Sequence, residues 1–421
     1  MTEHSADKRS GGIPRGIATD GPAVLSYGFR PFFLVAGIFA LIAMPLWIAA
    51  LVLGWPIGGA LYGPVWWHGH EMLFGYAVAP LAGFLLTTIP NWTGRLPVSG
   101  IPLLGLVALW AAGRFAMAFP DGLGIWLTAT LDGAFLPVFA VICAREIIAG
   151  KNWKNLKVAA VLSVLALINL GFHLAVATGG DASLLFRAGI AVFVVLIGIV
   201  GGRIVPSFTR NWLVKQGAVR LPIPFGRYDV AAMVVLIAAL SCWTVLPHGL
   251  LTAALAAVAA LAHAYRLLRW RGLAAAREPM LAVLHLGYGF VPAGLVAIGL
   301  AALDLINGTS ALHILTVGAI SNMTLAVMTR ATLGHTGRPI NASPVTLVAF
   351  AALFLAAAVR PFAEIAPDHY LLVLGLSGIA WMIAFSLYTI EYGAMLLRPR
   401  AGRKAASSPV PGTSTFEERK T

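Results

Sequence analysis

The amino-acid sequence predicts an all-α polytopic membrane protein of about twelve transmembrane helices, and three observations predict it. Of its 421 residues, 59% are hydrophobic and 11% charged, against roughly 45–50% and about 25% in a water-soluble domain. The apolar residues form stretches of about 18–24 residues, long enough to cross the hydrocarbon slab as helix. Lys and Arg gather between every second pair of stretches, as cytoplasmic loops do. A water-soluble enzyme is excluded. The formal charge of +13 would point to nucleic acid in a soluble protein; here it is read by position, and no nucleic-acid partner is expected.

Residues 1–31 carry Lys8, Arg9 and Arg15 among Gly, Ser and Thr, without a cleavable apolar core. They read as a partly disordered cytoplasmic segment, and the first span anchors the chain. A twelve-helix membrane domain follows over 32–396. Its spans lie near 32–54, 67–90, 101–119, 125–144, 156–177, 184–204, 229–247, 250–268, 280–303, 312–333, 343–363 and 370–396. Residues 397–421, rich in Ser, Pro, Lys and Arg, read as a disordered cytoplasmic tail. With both termini inside, every Lys and Arg except Arg114, Arg187 and Arg360 falls on the cytoplasmic side. Asp121, Asp181, Asp304, Glu364 and Asp368 occupy the outer loops. Trp55, Trp66, Trp67, Trp92, Trp126, Trp153, Trp212 and Trp270 stand at span ends, where indoles anchor at the headgroups. Cys143 and Cys242 lie in apolar stretches and read as packing residues. PNWTGR (90–95), GRIVPSFTRNW (202–212) and MTRATLGHTGR (328–338) recur four spans apart, the spacing expected of three arcs of four helices.

Ionisable groups in or beside spans are the first candidates for a site, because lipid tolerates them only where they face a protein interior. The topology sorts the histidines by depth. His68, His70 and Glu71 in WHGHEM (67–72) open span two at the outer face, His313 opens span ten, and His173 lies a turn below the outer end of span five. Neutral imidazole suits haem iron or copper, and a carboxylate such as Glu71 orients a ring through its N–H. A regular helix turns His68 and His70 about 200° apart, so each reaches a different partner. Arg187 and Arg114 stand near the same face, placed either for haem propionates or for interfacial snorkelling. On the cytoplasmic side, His263 and His285 sit on consecutive antiparallel spans where they either face one another or make separate contacts, and His335 follows span ten. Asp132 and Glu391 lie within spans and need partners that the sequence does not reveal. Met72, Met323 and Met328 are packing residues or copper donors. His248 and His369 belong to outer loops. No nucleotide-binding loop, nucleophile elbow, HExxH or CxxCH occurs.

At WHGHEMLFGYAVAPLAGFLLTTIPNWTGR (67–95), GGRIVPSFTRNW (201–212) and VMTRATLGHTGRP (327–339), the sequence resembles the NnrS family of bacterial integral membrane proteins. The likeness runs from YGFRPFF (27–33) to span twelve. The resemblance implies a twelve-helix bacterial inner-membrane protein that contains haem and copper and protects against nitric oxide. Its histidine-bearing motifs map onto His68, His70, His285, His313 and His335. A weaker analogy is to haem–copper oxidases and nitric oxide reductases, which hold haem between histidines of their second and tenth helices. Span six here has no histidine and no HH pair follows, so their copper triad is missing.

The resulting expectation is a haem site near the periplasmic face held by His70 and His313, with His68 oriented by Glu71 as a second ligand or support. His68, His70, His285, His313 and Arg187 are the candidate cofactor residues. His68, His70, Glu71, His173, His263, His285, His313 and His335 are the candidate metal ligands. Expected partners are nitric oxide or a related small molecule, the lipid bilayer and an electron donor that the sequence does not name. Catalysis is left open. A secondary transporter is the rival reading, predicting solute uptake and no chromophore.

Overall fold

The computed structural model describes residues 21–401, built of helices and short connections, with no strand among the described residues. Twelve helices are long and apolar enough to cross a membrane: α1 (Phe29–Leu53), α2 (Gly59–Thr93), α3 (Gly100–Ala118), α4 (Ile125–Ala149), α5 (Trp153–Ala177), α6 (Ser183–Lys215), α7 (Arg227–Val245), α8 (Leu250–Arg269), α9 (Pro279–Ala302), α10 (Gly308–His335), α11 (Pro344–Phe362) and α12 (Pro367–Leu397). An even number of crossings returns α12 to the side from which α1 departs. That end of the bundle is called proximal below, and the opposite end distal.

The helices exceed the apolar stretches where polar groups complete them. α2 begins at Gly59 rather than near 67 because the Asp121 carboxylate accepts the N–H groups of Ala60 (2.8 Å) and Leu61 (3.2 Å), which a helix start otherwise leaves without partners. α6 continues past 204 to Lys215, since a helix needs apolar side chains only while it lies in the slab. α1 already begins at Phe29. There the Arg30 guanidinium donates to the carbonyls of Leu396 (2.9 Å) and Arg398 (2.7 Å), answering the negative end of α12 and closing the bundle. Of the segments read as disordered, 1–31 in part and 397–421, residues 1–20 and 402–421 lie outside the described residues, while a 3₁₀ turn at Ala23–Leu25 and the start of α1 fall within 21–31.

Lipid gives helix pairing no hydrophobic advantage, so association rests on close packing and interhelical hydrogen bonds. Gly83 of α2 takes Phe33 of α1, Gly189 of α6 takes Leu73 of α2, and Gly201 of α6 takes Met323 of α10 and Tyr288 of α9; a Cβ at Gly189 would lie 2.4 Å from Leu73 Cδ2. The hydroxyls of Tyr76 (α2) and Thr324 (α10) are 2.8 Å apart. Thus α2, α6 and α10, the helices that carry the recurring motif, touch one another pairwise in the interior. The tryptophans divide. Trp55, Trp126 and Trp153 are exposed as anchors should be, whereas Trp67 and Trp270 are buried and pack inside the protein.

Two spans break their α-helical pattern at matching places. α2 is π-helical over Glu71–Ala77 and α10 over Ile314–Ser321, in each case directly after a histidine. A π turn loosens the i→i+4 ladder, and in lipid the loosened carbonyls need other donors. The Trp110 indole N–H donates to Gly75 O (3.0 Å) in α2. In α10, the Ser321 hydroxyl donates to Thr316 O (3.0 Å) and the Asn322 amide to Val317 O and Gly318 O (both 3.0 Å).

Candidate functional site

The distal half of the bundle encloses a cavity of about 720 Å³ between α1, α2, α6, α10 and α12, inside the roughly 300–1,000 Å³ of small-molecule and cofactor sites. His68 from α2 and His313 from α10 both line it, with Arg187 from α6 and Arg360 from the end of α11. Its walls are largely apolar, including Met44, Trp47, Met72, Phe186 and Trp381.

The two imidazoles are prepared differently. His313 Nδ1–H donates to the Thr309 carbonyl one turn back (2.8 Å), which fixes the tautomer and leaves the Nε2 lone pair unused. The His68 ring stacks on Trp47, centroids 4.3 Å apart and planes 12° from parallel, and its Nδ1 is enclosed without a hydrogen-bond partner. Arg187 Nε–H donates to Thr244 O (3.2 Å), and Arg360 pairs with Glu364 through both carboxylate oxygens (2.9 and 3.1 Å).

His70 does not join this cavity. About 200° around α2, it enters a second buried cluster formed by α2, α3, α4 and α5. Its Nδ1 donates to Glu71 Oε1 (2.9 Å), and its Nε2 faces Asn169 Oδ1 (2.8 Å) and Asp132 Oδ2 (3.1 Å). His173 Nε2 donates to the same Asp132 oxygen (2.9 Å), while its Nδ1 lies 2.7 Å from the Tyr62 hydroxyl. The Asn169 amide donates to Asp132 Oδ2 (2.8 Å). Arg114 lies between the acids, one Nη donating to Glu71 and the other to Asp132. His70, Asp132 and His173 are the one group among the described residues in which three metal-ligating atoms converge, all within 4.8 Å of one another.

Several expectations therefore change. The imidazole sharing the cavity with His313 is His68, not His70, because both nitrogens of His70 are held by protein oxygens on the other side of α2. Glu71 orients His70 rather than His68. Arg114 is consumed by Glu71 and Asp132 and does not reach the cavity, whereas Arg187 does.

The proximal histidines stay apart. His263 Nδ1 lies 2.8 Å from the Tyr288 hydroxyl and its Nε2 3.2 Å from Ala232 O, whereas His285 Nε2 lies 2.9 Å from Thr209 Oγ1. The facing His263–His285 pair is not formed: Tyr288, one turn along α9, takes His263 instead. His335 stacks against Tyr27 and Phe29. Nearby, Arg266 is buried among Asp229, Gly198 O and Tyr288, and Glu391 accepts from Thr346 Oγ1 (2.9 Å). Cys143 is buried and free, and Cys242 is half-buried and free.

The sequence reading left Trp47, Tyr62, Asn169 and Arg360 unmarked as site residues. Asp132 was legible as an intramembrane charge that needs a partner, but the sequence did not name Arg114 as that partner; the structure does. Nothing in the sequence marked the neutral partners. Among known proteins, the family model described as NnrS protein matches residues 23–400. No curated protein matches the chain.

Proposed function

Since the chain belongs to the NnrS family, we propose that its distal cavity is a haem site from which the protein protects a bacterial inner membrane against nitric oxide. The observation that carries this reading is the meeting of His68 and His313 in one cavity, each with a ring nitrogen that no protein group uses. The buried His68 Nδ1 without a partner is costly, and a metal held there would remove that cost. The cavity volume and apolar walls suit a large flat ring, and the Arg187 guanidinium suits one of its acidic substituents through forked hydrogen bonds.

Haem, when bound, supplies an iron that takes up nitric oxide and exchanges electrons. The chain's own residues do the rest. His68, clamped by Trp47, and His313, held by Thr309, present nitrogen from two helices. Arg187, whose bond is to the neutral Thr244 carbonyl, balances negative charge on the ligand, whereas the charge of Arg360 is already met by Glu364. Met44, Phe186 and Trp381 exclude water, and a small apolar gas enters from lipid without a polar channel. Copper, the second metal the family resemblance implies, would also find imidazoles in the neighbouring cluster of His70 and His173.

Oxidised and reduced spectra of detergent-purified protein, with metal analysis, test this reading against a transporter. A haem Soret band is expected. Its lack after expression with ample haem, together with solute uptake by reconstituted vesicles, establishes the rival. Titrating the reduced protein with nitric oxide and following product then separates turnover from sequestration.

A further inference from the structure

The proximal end of the bundle gathers positive charge that its described neighbours do not answer. Arg30 opens α1, His335 ends α10, Arg338 follows it, and Arg400 follows α12. Two local devices bring them together. Gly337, at φ +75°, reverses the chain after α10 so that Arg338 N–H returns to Leu333 O (2.9 Å), which turns Arg338 back across the helix end. Past α12, Ala401 N–H donates to Thr336 O (2.9 Å) and holds Arg400 against that turn: a Cβ on Gly337 would lie 3.0 Å from Arg400 Nε. Arg30 and Arg338 stand close enough for their charges to repel, and Arg30 and Arg400 both repel charge on His335, whose ring packs against Tyr27 and Phe29.

Helix ends account for part of this. The carbonyl termini of α10 and α12 each carry about half an elementary negative charge, and Arg30 commits one nitrogen, Nη1, to the last carbonyls of α12. Two such half-charges balance one guanidinium of the three. Among the described residues no carboxylate bonds to Arg30, Arg338 or Arg400, and Arg338 Nη1 is enclosed without a partner, which is costly. Other gathered arginines of this chain are supplied with acids: Arg95 and Arg145 share Glu146, and Arg266 and Arg269 share Asp229. Spare guanidinium donors where helices leave the apolar slab suit a phosphate group, whose oxygens accept from guanidinium in forked pairs. A free phosphate and a lipid headgroup would use the same donors. The apolar surface beside them favours the lipid: Ile390 (73% exposed) and Leu397 (54% exposed) lie two turns apart on one face of α12, a track for acyl chains that ends next to Arg398 and Arg400.

We propose that Arg30, Arg338 and Arg400 form a binding site for the phosphodiester of an anionic phospholipid at the proximal headgroup level. The site rests on the charges and donors of this corner and not on the haem reading.

The test is native mass spectrometry of the full-length protein, released from detergent micelles that carry phosphatidylglycerol or an equal amount of phosphatidylcholine. One phosphatidylglycerol adduct is expected to survive collisional activation that strips phosphatidylcholine, and to persist in excess inorganic phosphate. Arg338→Gln and Arg400→Gln each weaken phosphatidylglycerol binding by about fivefold or more, whereas Arg220→Gln, which removes an exposed cation from the loop between α6 and α7, leaves it unchanged. Equal retention of the two lipids, or phosphatidylglycerol binding that both Arg338→Gln and Arg400→Gln leave intact, overturns the site. Displacement by inorganic phosphate overturns the lipid as its occupant. A loss that Arg220→Gln reproduces shows attraction to net charge alone and overturns the site as well. Should Arg338→Gln not accumulate, Arg400→Gln decides, since Arg400 is exposed and lies beyond the last helix. Loss of the haem band with lipid binding intact counts against the cavity reading alone.

Discussion

His68 and His70 are two residues apart and do opposite work. One is stacked on Trp47 with a nitrogen left over, while the other has both nitrogens engaged by oxygens. Of the residues around the cavity, Arg187 bears most directly on retention of an acidic ligand. A hydrogen bond to a charged group contributes about 1.5–3 kcal/mol, so Arg187→Met is expected to speed haem dissociation by roughly ten- to a hundredfold, read as transfer to an apo-globin acceptor. In the cluster, Asp132→Ala leaves Arg114 short of one partner inside the bilayer. Breaking a buried ion pair costs roughly 3–5 kcal/mol, which predicts a large drop in the thermal unfolding midpoint in detergent. Asp132→Asn, which keeps the shape, is expected to lose less. The candidate histidines were legible as residues that lipid does not tolerate without a purpose. Their grouping was not, because depth follows from counting along a helix, whereas grouping depends on the rotation of each helix about its axis.

At the scale of the element, the π turns of α2 and α10 explain why the pairing escaped a reading based on regular helices. Each adds a residue to one turn, so the distal third of the helix, bearing His68 or His313, is rotated relative to the packed segment beneath it. Hydropathy cannot report this, since apolar residues fill α and π turns alike. The supporting donors Trp110, Ser321 and Asn322 become meaningful only once the carbonyls they serve are known. Deleting Val317 should restore α geometry in α10 and swing His313 by about 100°. The expected outcome is protein that is inserted and monodisperse on size exclusion but carries no haem. Gly202 supplies a second element-scale test: a Cβ there would lie 2.1 Å from Arg266 Nη2. Gly202→Val therefore displaces Arg266 from Asp229 and Tyr288, and is predicted to reduce the yield of folded protein sharply while the distal spectrum of the surviving fraction stays unchanged.

For the whole molecule, the sequence revealed the number of crossings and the approximate place of every span, because both follow from the apolar length a bilayer imposes. Helix ends were less legible wherever polar capping, as at Gly59, or extension beyond the slab, as at Lys215, set them. The orientation remains an expectation drawn from the Lys and Arg bias. In a Cys143→Ser, Cys242→Ser background, a cysteine at Asp181 or Asp368 should react with a membrane-impermeant maleimide in intact spheroplasts, and one at Gly217 only after lysis. The convergence of α2, α6 and α10 connects this architecture to function: it brings His68 and His313, from distant parts of the chain, to one cavity. The most direct measurement is the reduced-state absorption spectrum of haem-replete protein from the wild type and from His68→Ala, His313→Ala and His70→Ala. The account predicts a Soret band that is lost or strongly shifted in the first two variants and kept in the third; a band that survives both His68→Ala and His313→Ala, or that disappears only in His70→Ala, contradicts it.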